Sequence, residues 1–168
     1  MKGREEYIDA MTSLTFPLEG GCSCGAVRYQ LTTAPMIVHC CHCRMCQRQR
    51  GSAFAVNALI EADRVEVLAA TPARRSLPTE SGRPLDDYVC ADCGVSVWSD
   101  YGRREVMLFV RTGTLDDPDA LAPDIHIFTR SKQPWVVLAP DARAYDIYYD
   151  MAKEWAPESW AWRQALGV

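Results

Sequence analysis

The chain has 168 residues, 48% of them hydrophobic and 24% charged, enough to build one ordinary core and too apolar for wholesale disorder. Its formal net charge of −4 is the wrong sign for a surface that neutralises nucleic-acid phosphates or anionic lipid. No apolar run nears the roughly 18 residues that cross a bilayer, and the start MKGREEYIDAMTSLTF carries acidic residues where a secretory signal needs an apolar stretch, so the expectation is a cytoplasmic protein with neither membrane nor nucleic acid as a partner.

Along the chain, residues 1–15 read as a polar lead-in with at most a frayed turn of helix. From Phe16 the texture is strand-like. Residues 26–31, 36–38, 52–56, 64–68, 95–98, 105–110, 125–128 and 135–138 are short β-branched or aromatic runs separated by Gly, Pro and Asp, the pattern of a mainly β domain. Residues 71–87 hold three prolines and no apolar periodicity, which predicts a loop or a ragged hairpin. Only Arg44–Arg50 and Ser159–Leu166 read as helix. Trp98 and Trp135 are expected in the core. Trp155, Trp162 and Leu166 are spaced to share one helical face, so the C-terminal extension, residues 141–168, is expected to dock on the β domain of residues 16–140 or to form a homodimer contact.

The eight cysteines, at 22, 24, 40, 41, 43, 46, 90 and 93, are too crowded for a disulfide framework and read as metal ligands in a reducing compartment. On an extended strand, Cys22 and Cys24 point to one face. Cys90-Ala-Asp-Cys93 followed by Gly94 is a C-x-x-C knuckle whose glycine permits a tight turn. These four thiolates make a closed tetrahedral set, which leaves zinc no open position and is therefore structural.

Cys41-x-Cys43-x-x-Cys46 is a strand end running into a helix start, and it offers three more thiolates. A zinc with three protein ligands keeps a place for water or substrate. Face alternation puts His39 on the side of Cys41 and Cys43, with Cys40 and His42 on the other side. Either His39 or Cys40 could close the set to four, and His42 reads as a supporting or surface residue. An open all-thiolate zinc is a soft site whose natural added ligand is another thiolate, and a metal lowers a thiol's pKa. Arg44, Arg48 and Arg50 follow at once. Arg44 and Arg48, four apart, share a helix face and could hold the carboxylates of an anionic thiol such as glutathione. His126, in an alternating strand, is a possible proton carrier, and Lys132 a possible carboxylate partner. The plain alternatives are a satisfied half-buried histidine and solvated charges.

Gly20-Gly-Cys-Ser-Cys-Gly-Ala-Val-Arg-Tyr29, Cys41-His-Cys-Arg-Met-Cys46, Gly51-Ser-Ala-Phe-Ala55, Cys90-Ala-Asp-Cys-Gly94 and His126-Ile-Phe-Thr-Arg-Ser-Lys-Gln-Pro-Trp135 occur in that order. Together they resemble the glutathione-dependent formaldehyde-activating enzyme family, which shares its domain with centromere protein V. The resemblance implies folded-over antiparallel β-sheets around zinc, similar to methionine sulfoxide reductase B. It implies structural zinc at Cys22, Cys24, Cys90 and Cys93, and an active-site zinc at Cys41, Cys43 and Cys46 where glutathione binds. The implied activity is the carbon–sulfur lyase reaction that joins formaldehyde to glutathione. Cys40 departs from the family pattern, and the Trp-rich tail lies outside the match. The competing expectation is a binding module without turnover, both metals structural.

Overall fold

Gly, Pro and Asp punctuate the apolar runs of this chain often enough that, among the described residues, no strand exceeds seven residues. The computed structural model describes residues 14–167, and all but the last two residues of the expected lead-in lie outside them. Ten strands follow in order: β1 Leu18–Gly21, β2 Arg28–Leu31, β3 Ile37–Cys41, β4 Ala55–Glu61, β5 Val65–Val67, β6 Ala73–Leu77, β7 Leu85–Val89, β8 Ser96–Tyr101, β9 Met107–Arg111 and β10 Ile125–Ile127. The helices are α1 Arg44–Arg50, α2 Met151–Glu154 and α3 Pro157–Ala165. Among the described residues no helix is long and apolar enough to cross a membrane.

The fold is mainly β, as expected. A three-stranded sheet of order β1-β2-β5 packs against a seven-stranded sheet of order β10-β3-β4-β9-β8-β7-β6. All pairings are antiparallel except β10 with β3. Because strand side chains alternate, the large sheet has two apolar faces. Val38, Ala58, Ile60 and Val110 meet Tyr29 and Leu31 of the small sheet and Val27 just before it. Ile37, Leu59, Met107, Ile125 and Ile127 meet Tyr149 and Trp155 of the C-terminal extension. Burial on both faces explains why β3 is buried throughout, cysteines included.

Residues 71–87 form the ragged hairpin, β6 pairing with β7. The expected strand at 135–138 is absent, and Trp135 and Val137 are 70% and 90% exposed. The free edge of β10 is already used: His126 N–H donates to the Arg143 carbonyl and Tyr145 N–H to the His126 carbonyl, so residues 135–138 have no strand to join. Trp98 is buried as expected.

In the tail, Pro157 occupies the first turn of α3, a position that starts a helix rather than continuing one. Trp155 therefore falls outside that helix. Trp160 and Leu166 pack towards the core while Trp162 is 50% exposed, which corrects the expected Trp155–Trp162–Leu166 face. The short α2, capped by the Asp150 carboxylate accepting from Ala152 N–H, was not anticipated. The extension docks on its own β-sheet through Tyr149 and Trp155.

Candidate metal centres

Two tight turns bring four thiols together. Cys22 and Cys24 occupy the turn between β1 and β2 rather than an extended strand, and Cys90 and Cys93 the turn between β7 and β8. The two turns close alike at the base and differ by one residue in the inner bond. Cys22 N–H donates to the Val27 carbonyl and Gly25 N–H to the Cys22 carbonyl. Cys90 N–H likewise donates to the Val95 carbonyl and Gly94 N–H to the Cys90 carbonyl. Gly25 and Gly94 reach φ +80° and +74°, the left-handed backbone that glycine adopts without strain. The Val27 amide donates to Cys22 Sγ at 3.3 Å.

All four ligand atoms lie within 4.8 Å of one another. Sγ separations of 3.4 Å for Cys22–Cys24 and 3.6 Å for Cys24–Cys90 far exceed the roughly 2.05 Å of a disulfide. They approach the edge of about 3.8 Å expected for a tetrahedron with zinc–sulfur bonds near 2.3 Å. The donor set fits a metal ion that prefers four thiolates. Burial pushes the Cys22 thiol up, but the Val27 amide and the three neighbouring thiols outweigh it and bring it down to about 6.

The second cluster arises where β3 ends and α1 begins. Cys43 caps the helix, with extended backbone (φ −66°, ψ 151°) and its Sγ accepting from Cys46 N–H at 3.3 Å. Gly51, at φ +61°, closes the other end. The thiols of Cys41, Cys43 and Cys46 fall within 4.8 Å of one another. Cys41 is buried while Cys43 and Cys46 are half-buried, so the group has a side open to solvent. Hydrogen bonds from Cys41 and Cys46 pull the Cys43 thiol far down, and the same contacts with Cys43 and Cys46 push the Cys41 thiol far up.

Neither residue considered as a fourth ligand belongs to this group. His39 lies on the expected face, but its Nε2 is hydrogen-bonded to the Tyr149 hydroxyl, and burial lowers its pKa to about 3. Cys40 points to the opposite face. There its Sγ is 3.5 Å from His42 Nε2, which is 3.0 Å from His126 Nδ1. His42 is fully buried, which excludes the expected surface role, and His126 is assembled with Cys40 and His42 rather than with the three thiols.

The arginines divide around α1. Arg44 and Arg48 line a groove of about 810 Å³ with Gln47, Ser52, Gln133 and Trp135, and Arg44 Nη1 donates to Gln47 Oε1 at 2.8 Å. Arg50 turns instead to the sheet and pairs with the fully buried Asp87 at 2.8 Å. Asp87 also receives Arg75 at 2.9 Å and the Ser96 hydroxyl at 2.7 Å. Arg111, buried in the same row, contacts Asn57, Ser99 and Asp87. Burial and then the neighbouring Arg50 lower its pKa to about 10, and the field of Cys46 acts on it. Sequence reasoning passed over Arg111, Asp87 and Gln47. The available signal was a charge inside apolar strand runs, as in Met107-Leu-Phe-Val-Arg111. Lys132 is not a free cation: its ammonium is hydrogen-bonded to the Val136 carbonyl at 2.5 Å and the Gln133 carbonyl at 3.4 Å. Gln47 Nε2 ties the helix to the residue after β3 and to the turn after β10 through the carbonyls of His42 and Ser131.

This is a mainly β protein that gathers seven of its cysteines into a four-thiol and a three-thiol group, each of which could hold a metal ion. The family model for glutathione-dependent formaldehyde-activating enzyme matches residues 17–131, and the chain belongs to that family. A Halomonas elongata protein provisionally named a glutathione-dependent formaldehyde-activating enzyme is 26% identical over 124 residues, covering 71% of this chain and 79% of its own length. An Emericella nidulans protein with the same provisional name is 31% identical over 85 residues, covering 51% of this chain and 41% of its own length. A crystal structure of a Rhodobacter sphaeroides protein is similar at 20% identity and TM-score 0.46, covering 60% of this chain and 89% of that one.

Proposed function

We propose that this protein joins a glutathione-like thiol to formaldehyde, the reverse sense of a carbon–sulfur lyase, and that it does so at the Cys41–Cys43–Cys46 cluster with zinc as cofactor. In that reaction the thiol sulfur forms a bond to the carbonyl carbon, the carbon–oxygen π bond breaks, and the thiol proton passes to the carbonyl oxygen. The observation that carries the reading is the three-thiol group itself: three converging sulfurs, an open flank, and no fourth protein donor within the group among the described residues. Zinc held by three thiolates supplies a Lewis-acid position that lowers the pKa of an added thiol.

The chain's own residues supply the rest. None of the three cysteines lines the groove of Arg44, Arg48 and Trp135, but its lining residue Arg44 directly follows Cys43 at the first turn of α1. Guanidinium groups there bind the carboxylates of the peptide thiol. Arg111, buried behind Cys46 and balanced by Asp87, keeps positive charge next to the reacting sulfur without offering a proton at neutral pH. Cys22, Cys24, Cys90 and Cys93 hold a second zinc whose role is to fasten the sheets.

The test is the rate of glutathione–formaldehyde exchange, followed by NMR, in the zinc-loaded protein and in Cys46→Ser. The expected result is catalysis by the wild type and its loss in a variant that keeps its circular dichroism and solubility. No catalysis by the folded, zinc-loaded wild type, or a Cys46→Ser protein as unfolded as Cys93→Ser, overturns the assignment in favour of a binding module.

A further inference from the structure

The end of β3 carries a second set of metal-binding side chains on the face opposite the Cys41–Cys43 pair. Strand alternation places Cys40 and His42 on that face, and the parallel register pairs Cys40 with His126 across β10, bringing the third donor alongside. Cys40 is 1% and His42 0% exposed, while His126 is half-buried. The cluster is therefore sealed on the core side, with the Phe54 ring 5.5 Å from that of His42, and reachable past His126.

From this we propose a third metal site, in which Cys40 Sγ, His42 Nε2 and His126 Nδ1 bind a zinc-class divalent ion and leave a fourth position for water. The separations are those of ligands around one ion. A tetrahedron with metal–nitrogen bonds near 2.05 Å and a metal–sulfur bond near 2.3 Å has edges of about 3.3 Å between nitrogens and about 3.6 Å between sulfur and nitrogen. The structure places His42 Nε2 at 3.0 Å from His126 Nδ1 and at 3.5 Å from Cys40 Sγ.

Hydrogen bonding alone serves the three groups poorly. A single proton on His42 Nε2 can be given to only one of its two neighbours, while His42 Nδ1, buried with no hydrogen-bond partner, is left unchanged by either arrangement. A cation accepting the Nε2 lone pair requires the Nδ1–H tautomer and engages all three donors at once. One thiolate with two imidazoles is a borderline set suited to zinc. Lys132, whose charge acts on His42, has its ammonium turned onto the Val136 and Gln133 carbonyls.

This site is independent of the thiol reaction and can be tested apart from it. The four-thiol and three-thiol groups contain no imidazole, so imidazole scattering in the zinc X-ray absorption spectrum reports on the third site alone. The protein is loaded with zinc under reducing conditions and freed of loosely held metal, and zinc per chain is measured beside the spectrum. The expected result is imidazole scattering in the wild type and in Cys46→Ser. His126→Ala and Cys40→Ser are each expected to lose it, together with one zinc per chain. A wild-type zinc shell without imidazole, or the same zinc content in wild type, His126→Ala and Cys40→Ser, overturns the proposal and leaves a hydrogen-bonded histidine pair beside a core cysteine. Because the wild-type spectrum decides by itself, a variant that fails to fold does not rescue the idea.

Discussion

The two thiol groups are assembled in opposite ways. One draws its sulfurs from two turns, with Cys24 and Cys90 separated by 66 residues, and it clamps the β1–β2 turn of the small sheet onto the β7–β8 turn of the large one. The other takes all three sulfurs from six consecutive residues, Cys41 to Cys46. A cross-link that closes a long loop removes much entropy from the unfolded chain, whereas one within a single turn removes little. On the proposed reading, metal at the first group would therefore be tied to folding. Metal at the second would add little to the topology, and its three-ligand set would be free to serve chemistry.

That contrast breaks most visibly under cysteine substitution. Cys93→Ser should forfeit metal-linked folding energy on the order of 10 kcal/mol and yield insoluble or unfolded protein. Cys46→Ser should stay soluble with a native circular dichroism spectrum. Comparable unfolding of both would erase the distinction.

The next largest effect concerns the ion pairs behind Cys46. Asp87→Ala strands the buried Arg111 and should cost about 3–5 kcal/mol in urea unfolding, more than any change on the exposed face of α1. The pH dependence has a definite sign. Burial raises the Asp87 pKa, but hydrogen bonds from Ser96 and Arg50 more than offset it and hold the carboxyl below 3.8. The ionised form is thus favoured by folding, and its contribution is complete above the unfolded carboxylate pKa. It is lost as pH falls through the lower folded value. Asp87→Asn should accordingly show a shallower loss of stability below about pH 4 than the wild type, and parallel acid limbs would show that Asp87 carries no such linkage.

Smaller still is Arg48→Ala. Arg48 lines the groove and has no hydrogen-bond or ion-pair partner among the described residues. Its loss should leave the melting temperature within about 2 °C while raising KM for glutathione roughly five- to tenfold, about 1–1.4 kcal/mol of uniform binding. A fall in kcat at unchanged KM would instead place Arg48 at the reacting atoms.

The sequence carried most of the metal-binding pattern because spacing and alternation are local. The C-x-C-x-x-C run specified both β3's end and α1, whose limits Arg44–Arg50 were read as they stand. The C-x-C pair was placed on a strand although it sits in a turn, since Gly25 at φ +80° acts only with the Val27 and Cys22 backbone bonds in place. What stayed hidden depends on distant partners. Residues 135–138 look like a strand, yet the edge they would join is occupied by residues 143–147. Asp87 and Arg111 lie on separate strands, and only the pairing of β7, β8 and β9 makes them meet in the interior. Cys40 and His126 are brought together by a parallel register between β3 and β10 that periodicity in either segment does not reveal.

The central claim is that the Cys41–Cys43–Cys46 group is a metal site with room for a thiol. Cadmium-113 NMR of the cadmium-loaded protein tests it site by site, with the resonance assigned by its loss in Cys46→Ser. Glutathione should move this resonance towards a four-sulfur position and leave that of the Cys22–Cys24–Cys90–Cys93 group where it was. A Cys46-dependent resonance that already has four sulfurs, or that ignores glutathione, would contradict it.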